Sequence, residues 1–222
     1  MSSDKSDGAA DFDRNVDVVE ISLHGDFSSP TAVTAFAVTG FAGYVDVTSG
    51  VDFFDTEGGF SVLEVHASRL QRLYGNFSGS LTGKAQLASR NLDGLFRCSV
   101  GGPTSNRGFP VGEASADQCL TLNSDIRYDF EKTVLGASWQ VAAFFDYGLT
   151  RQDKNSVGGV ENFSDNLASV GVAAHARIGA SGFLRAAVGY QLTESEEKSA
   201  SGNHADFNST PLRFWVQAGF QF

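Results

Sequence analysis

Apolar and polar residues alternate with a period of two through most of this chain. In 212–222, Phe214, Val216, Ala218, Phe220 and Phe222 fall on one face, and Trp215, Gln217, Gly219 and Gln221 on the other. In 183–193, Leu184, Ala186, Val188, Tyr190 and Leu192 oppose Phe183, Arg185, Ala187, Gly189 and Gln191. In 138–149, Trp139, Val141, Ala143, Phe145 and Tyr147 oppose Gln140, Ala142, Phe144, Asp146 and Gly148. Segments 120–130 and 166–178 follow suit: Leu122, Ile126, Val170 and Val172 on one face, Asp125, Arg127, His175 and Arg177 on the other. Successive side chains of a strand point to opposite faces, so each segment reads as a strand with one apolar and one polar side. The pattern predicts nine strands, at 16–27, 31–47, 60–72, 77–90, 120–130, 138–149, 166–178, 183–193 and 212–222. Segment 60–72 is less regular, because Arg69 interrupts the phase set by Leu63, Val65 and Ala67, and a bulge would account for it.

For any one strand, the edge of a soluble sandwich competes with the wall of a membrane barrel. The polar faces favour the barrel. Burying Asp125, Arg127, Asp146, His175, Arg177 and Arg185 in a dry core would cost several kcal/mol per ion, a cost that a water-filled lumen removes. The connections agree. Those near 28–30, 73–76, 131–137 and 179–182 are short, and those near 48–59, 91–119, 150–165 and 194–211 are long and polar. Short turns on one rim and long loops on the other mark transmembrane barrels. The fold class expected is all-β: an antiparallel transmembrane β-barrel meander with its apolar faces, including Trp139, Val141 and Phe145, turned out to lipid. Residues 1–15 are expected to be a polar or disordered start, and 16–222 a partial barrel.

Composition fits many strands, with 25 Gly and 19 Phe against 4 Pro and 1 Met in 222 residues. No apolar run approaches the length of a membrane helix. The net charge of -10 argues against a nucleic-acid partner. His24, His66, His175 and His204 lack metal-ligand spacing, and no G-x-S-x-G, H-E-x-x-H, C-x-x-C or phosphate-loop motif occurs. No enzymatic activity, cofactor or metal is therefore expected.

The longest loop and the strand after it carry the most specific signal. Arg107-Gly108-Phe109 stands inside the loop, and Leu122-Asn123-Ser124-Asp125-Ile126-Arg127-Tyr128 follows. Ser68-Arg69-Leu70-Gln71-Arg72-Leu73 precedes them, and Phe144-Phe145-Asp146-Tyr147-Gly148 comes after. In this order the motifs resemble the carboxy-terminal barrel region of two-partner secretion outer-membrane transporters, the hemolysin activation/secretion family, over roughly the last 165 residues. The resemblance implies a sixteen-stranded barrel whose R-G-F/Y loop, here within 101–118, folds back into the lumen. It further implies that the loop arginine, Arg107, pairs with the aspartate of F-x-D-x-G, here Asp146 between Phe144 and Gly148. Gly108 would permit the turn, and Phe109 would wedge against wall groups such as Phe144. Asp125, Arg127, His175, Arg177 and Arg185 would line the lumen. Without the family pattern, Arg107 reads as an ordinary solvated loop residue. Asn106 stands where the family has Val or Ile, which implies looser loop packing, and Asp125 stands where it usually has Glu.

The partners implied are a secreted exoprotein of hemolysin or adhesin type, outer-membrane lipid, and the barrel assembly machinery, for which Phe220 and Phe222 would be the assembly signal. The location implied is the bacterial outer membrane. Met1-Ser-Ser-Asp-Lys-Ser-Asp-Gly8 is not a secretion signal, and nine strands are about the last nine of sixteen. The chain is thus expected to be a carboxy-terminal fragment that lacks the amino-terminal barrel half and the periplasmic domains. The competing function is a stand-alone small barrel, a porin or surface adhesin. Cys98 and Cys119 flank the loop and read either as a disulfide, if neighbouring strands bring them face to face, or as two incidental small side chains.

Overall fold

A computed structural model describes residues 13–52, 54–151, 164–195 and 204–221. The described residues form strands and connections, with no helix. No helix in them is long and apolar enough to cross a membrane, which says nothing of a crossing by strands. Nine long strands make one antiparallel sheet: β1 (Asp13–Ser28), β2 (Ala32–Ser49), β3 (Gly58–Arg72), β4 (Phe77–Ala88), β7 (Gln118–Asp129), β8 (Ala137–Arg151), β9 (Ser164–Ile178), β10 (Gly182–Gln191) and β11 (Leu212–Phe220). The loop between β4 and β7 holds a small hairpin, β5 (Cys98–Val100) and β6 (Ala114–Ala116).

Each long strand pairs with its neighbours in sequence order, so the sheet is a pure meander. Within the described residues it is open, and β1 and β11 each pair on one side only. The strands run from 9 to 18 residues, all longer than the five or six usual in globular sheets. Connections alternate as the sequence predicts. Residues 29–31, 73–76 and 179–181 are short turns on one rim, and 50–57 and 89–117 are long loops on the other. Asp13 already belongs to β1, so the strand takes up the end of the expected polar start. Residues 1–12, 152–163, 196–203 and Phe222, and with them much of the expected loops 150–165 and 194–211, lie outside the described residues.

The two faces differ as the alternation demands. Val19, Ile21, Leu23, Val172, Phe214, Val216 and Phe220 are exposed on one face, Ile21 by 75% and Val216 by 76%. Val141 and Phe145 join them. Trp139 is half-buried, because its Nε1 donates to Val134 O of the adjoining turn at 2.9 Å. The opposite face carries the β4–β7 loop and holds the buried residues Phe144, Asp146, Ser169 and Gln191.

The expected bulge near Arg69 is absent. β3 pairs without a register shift against both β2 and β4. Arg69 stands in the outward row opposite Thr34 and Leu81, and donates to Thr34 Oγ1 at 3.2 Å and to Gln71 Oε1 at 2.6 Å. A charged residue sits there because the turn rim, not the middle of the strand, surrounds it.

Buried apolar groups gather in two places. Val45, Phe60, Val62, Ala88 and Leu92 pack where β2 and β3 meet the start of the long loop. Cys98, Val100, Phe109, Ala114, Ala116, Cys119 and Leu167 pack beneath the loop itself.

Candidate functional site

The site is the seat of the β4–β7 loop on strands β7 to β11. Two tight turns shape the loop tip. Ser105 N donates to Gly102 O at 3.2 Å, Phe109 N to Asn106 O at 3.2 Å, and Gly102 N closes the knuckle on Phe109 O at 3.0 Å. Arg107 and Gly108 stand at the apex of the second turn.

Small residues in the wall let this apex touch the sheet. A Cβ on Gly189 would lie 2.5 Å from Arg107 O and 2.8 Å from Gly108 N. A Cβ on Gly148 would lie 2.5 Å from Val100 Cγ1. Gly108 itself faces Ser169, whose Cβ is 2.4 Å from where a Gly108 side chain would begin. Hence loop backbone packs directly on wall backbone, which only glycine allows at such range.

Arg107 reaches from the apex to two aspartates. Its Nε donates to Asp146 Oδ2 at 2.8 Å, and its second terminal nitrogen donates to Asp146 Oδ1 at 2.7 Å. The remaining terminal nitrogen donates to Asp125 Oδ1 at 2.7 Å. The Arg107 backbone N–H adds a bond of 2.9 Å to Asp146 Oδ2. The guanidinium lies over the Phe144 ring, 3.6 Å from its centroid. Burial opposes the charge on Arg107, but the bonds and charges of Asp146 and Asp125 more than offset it and hold the arginine pKa above its ordinary value.

Both carboxylates are satisfied by further donors. Asn123 Nδ2 donates to Asp146 Oδ1 at 2.8 Å. Ser80 Oγ and Arg127 donate to Asp125 Oδ2 at 2.9 and 3.1 Å. The side chain of Asp146 is fully buried. A buried carboxylate needs this many partners, since each orphaned charge would cost several kcal/mol.

The rest of the apex is fixed by neutral groups. Asn106 is buried, donates from Nδ2 to Leu167 O at 2.9 Å and accepts from Ser169 Oγ at 2.6 Å. The looser packing expected of Asn106 is therefore absent, because its amide finds partners that Val or Ile could not use. Ser169 Oγ also accepts from Gly108 N at 3.1 Å, Gln191 Nε2 donates to Gly108 O at 2.9 Å, and Trp215 Nε1 donates to Arg107 O at 2.8 Å. Phe109 is enclosed by the Cys98, Val100 and Leu167 cluster, whereas Phe144, its expected partner, stacks under Arg107.

The loop stem is held too. Cys98 of β5 and Cys119 of β7 are joined by a disulfide, with Cα atoms 6.4 Å apart. Glu113, after the apex, hydrogen-bonds His204 Nδ1 through Oε1 and accepts from Ala205 N at 2.9 Å, so the β10–β11 connection is tied to the loop. Both side chains of that pair are buried, and the His204 ring meets Phe109 edge-on at 6.0 Å.

The structure thus brings Arg107, Gly108, Phe144, Asp146 and Asp125 together, with Gly148 beneath Val100. Arg127, His175 and Arg185 lie beside them on the same face. Arg177 pairs with Phe183 one row nearer the short turns. Phe220 is exposed on the opposite face. Sequence reading assigned Ser169, Gln191, Glu113 and His204 no part in the site, and did not link Asp125 or Trp215 to Arg107. For Ser169, Gln191 and Trp215 the only signal was their place on the polar face of the alternation.

No protein-family model and no solved structure matches the chain. Two curated proteins do, each over part of its length. The heme/hemopexin transporter protein HuxB of Haemophilus influenzae is 30% identical over 129 residues, 55% of this chain and 22% of that protein. Its counterpart from the Rd strain is 31% identical over 124 residues, 53% of this chain and 21% of that protein. The chain spans about a fifth of the length of the curated relatives it matches. Its likeness is therefore to a transporter, and it is partial.

Proposed function

We propose that these nine strands are part of the wall of a bacterial outer-membrane transporter that exports an unfolded exoprotein by two-partner secretion. The observation that carries this reading is the loop apex held on the wall by Arg107, Asp146 and Asp125. A guanidinium gripped by both edges is a strong but exchangeable plug contact: it is hydrogen-bonded throughout, yet water can replace every bond once the loop lifts. The partial likeness to HuxB supports transport. The exposed apolar rows and the polar loop-bearing face support a wall between lipid and a hydrated lumen. The open edges of β1 and β11 support closure by further strands, since unpaired backbone in hydrocarbon costs several kcal/mol per group. Heme and hemopexin belong to the name of the relatives, and no residue here specifies either as cargo.

On this reading the loop plugs the lumen at rest and shifts to let an extended chain pass, without nucleotide hydrolysis. The test is secretion by the protein in its natural length, expressed with its cognate exoprotein in a host that lacks such an exporter. Exoprotein is expected in the medium. Arg107→Ala and Asp146→Ala should each reduce it while the barrel still reaches the outer membrane. A host that inserts the barrel and releases no exoprotein would overturn the assignment.

A further inference from the structure

Strand register lays out the loop-bearing face in rows. One row runs Arg127, Ala142, Ala173, Ala187, Trp215 across β7 to β11. The next row toward the short turns runs Asp129, Gln140, His175, Arg185, Gln217. On the other side stands the loop, with Pro103, Thr104 and the Arg107 guanidinium. Three alanines in line therefore form the floor of a trough. Its walls are the loop and the Gln140, His175, Arg185 row, and its ends are Arg127 and Trp215. The hollow measures about 650 Å³.

The charges in the trough do not cancel. Asp146 and Asp125 are taken by Arg107, and Asp125 also by Arg127. Asp129 Oδ1 accepts from Gln140 Nε2 at 2.8 Å. Among the described residues Arg185 and Arg177 have no carboxylate within ion-pair distance, and Arg185 reaches only the Phe183 ring, at 5.2 Å. Arg185, with Arg177 one row nearer the short turns, is thus left as an unneutralised cationic group on the loop-bearing face of a chain whose net charge is -10.

From this we infer that the trough is a binding site for an extended, acidic stretch of polypeptide, with carboxylates set against Arg185 and Arg127 and backbone over the alanine floor. The inference rests on the export reading for the source of that polypeptide. Four interstrand steps span about 19 Å, room for about six extended residues. Alanine floors admit a backbone that larger side chains would exclude. Glutamine amides of Gln140 and Gln217 offer both donors and acceptors to its peptide groups. The site lies alongside the loop, so a segment held there waits beside Arg107 and its two aspartates.

The experiment uses dye-labelled twelve-residue Gly/Ser peptides carrying four Glu, four Gln or four Lys, and the natural-length protein in neutral detergent micelles. Fluorescence anisotropy reads the binding at low salt. The Glu peptide should bind at least about tenfold more tightly than the Gln peptide, with the Lys peptide weakest, as expected where guanidinium–carboxylate bonds decide. Arg185→Gln should reduce Glu-peptide affinity about fivefold and Arg185→Lys much less, since the charge is kept. Arg127→Gln adds a second reading at the other end of the trough. Equal binding of the Glu and Gln peptides, or full affinity in Arg185→Gln, would overturn the proposal. Displacement of the Glu peptide by equimolar charge as inorganic sulfate would also overturn it, by assigning a small-anion site. Secretion without acidic-peptide preference removes this inference and leaves the export reading. Acidic-peptide binding without secretion does the reverse.

Discussion

Arg107 and Asp146 are joined by three hydrogen bonds, two from the guanidinium and one from the arginine backbone amide, all between 2.7 and 2.9 Å. The backbone bond matters because it depends on where the loop is, not only on which side chain it carries. Asp146 therefore reads both the position of the apex and its charge. Lysine at position 107 would keep the charge and lose the two-edged grip, since an ammonium is a point donor.

Loss of either partner should be severe and unequal to loss of both. Arg107→Ala leaves Asp146 buried with Asn123 as its remaining side-chain donor, a change expected to cost about 3–5 kcal/mol of loop docking. Arg107→Lys should fall between Ala and wild type. The double variant Arg107→Ala/Asp146→Ala should cost less than the two single effects added, because it leaves one fewer orphaned charge. Protease cleavage within 101–118 under native conditions measures docking. A strictly additive double variant would show that the two side chains act independently.

The close backbone approach gives a second expectation. Gly189→Ala places a methyl against backbone atoms of Arg107 and Gly108, which no rotamer change relieves. It should undock the loop as effectively as Arg107→Ala while leaving the ion-pair residues intact. Gly40→Ala, with open space around its Cβ, should be silent. Channel conductance in planar bilayers reads both: larger for Gly189→Ala, unchanged for Gly40→Ala.

How much of this was legible in the sequence depends on the range of the interaction. Period-two alternation located all nine long strands and put Asp146 and Asp125 on the polar face, because strand faces are set by residues two apart. It gave no sign of β5 and β6, whose three residues each are too few to show an alternation. The Arg107 motif was found by its resemblance to a family, not from local chemistry. Asn106 was misjudged, since nothing within the loop announces that Leu167 and Ser169, sixty residues on, would satisfy its amide. The Glu113 and His204 pair was missed for the same reason, its members standing 91 positions apart. Arg69 misled because a pattern rule cannot tell the middle of a strand from its rim.

The disulfide should govern the stem more than the apex. Cys98 and Cys119 are 21 positions apart, and closing a loop of that size stabilises by about 3 kcal/mol in the chain-entropy account. Cys98→Ser/Cys119→Ser should lower the denaturant midpoint of the protein and raise protease sensitivity near β5, with Arg107 still docked. Alkylation before and after reduction, followed by native cleavage, checks it. Loss of apex protection together with stem protection would mean that the two are one cooperative unit.

The outward apolar face provides the test that separates lipid from water. Val172 is 61% exposed on a central strand, flanked by Ala143 and Val188 in register, so no edge effect complicates it. In water, Val172→Lys is a surface change worth within about 0.5 kcal/mol. Facing the middle of a bilayer, the same lysine costs about 2–4 kcal/mol, because the ammonium must snorkel or drag water inward. His175→Lys, on the loop-bearing face of the same strand, supplies the comparison: it adds a similar charge where the lumen would be hydrated. Denaturant titrations of both variants in phospholipid vesicles should show a large loss for position 172 and a small one for position 175. Equal, small losses would mean that water, not hydrocarbon, covers the apolar rows, and the open face of Ile21, Val172 and Val216 would then need a protein partner.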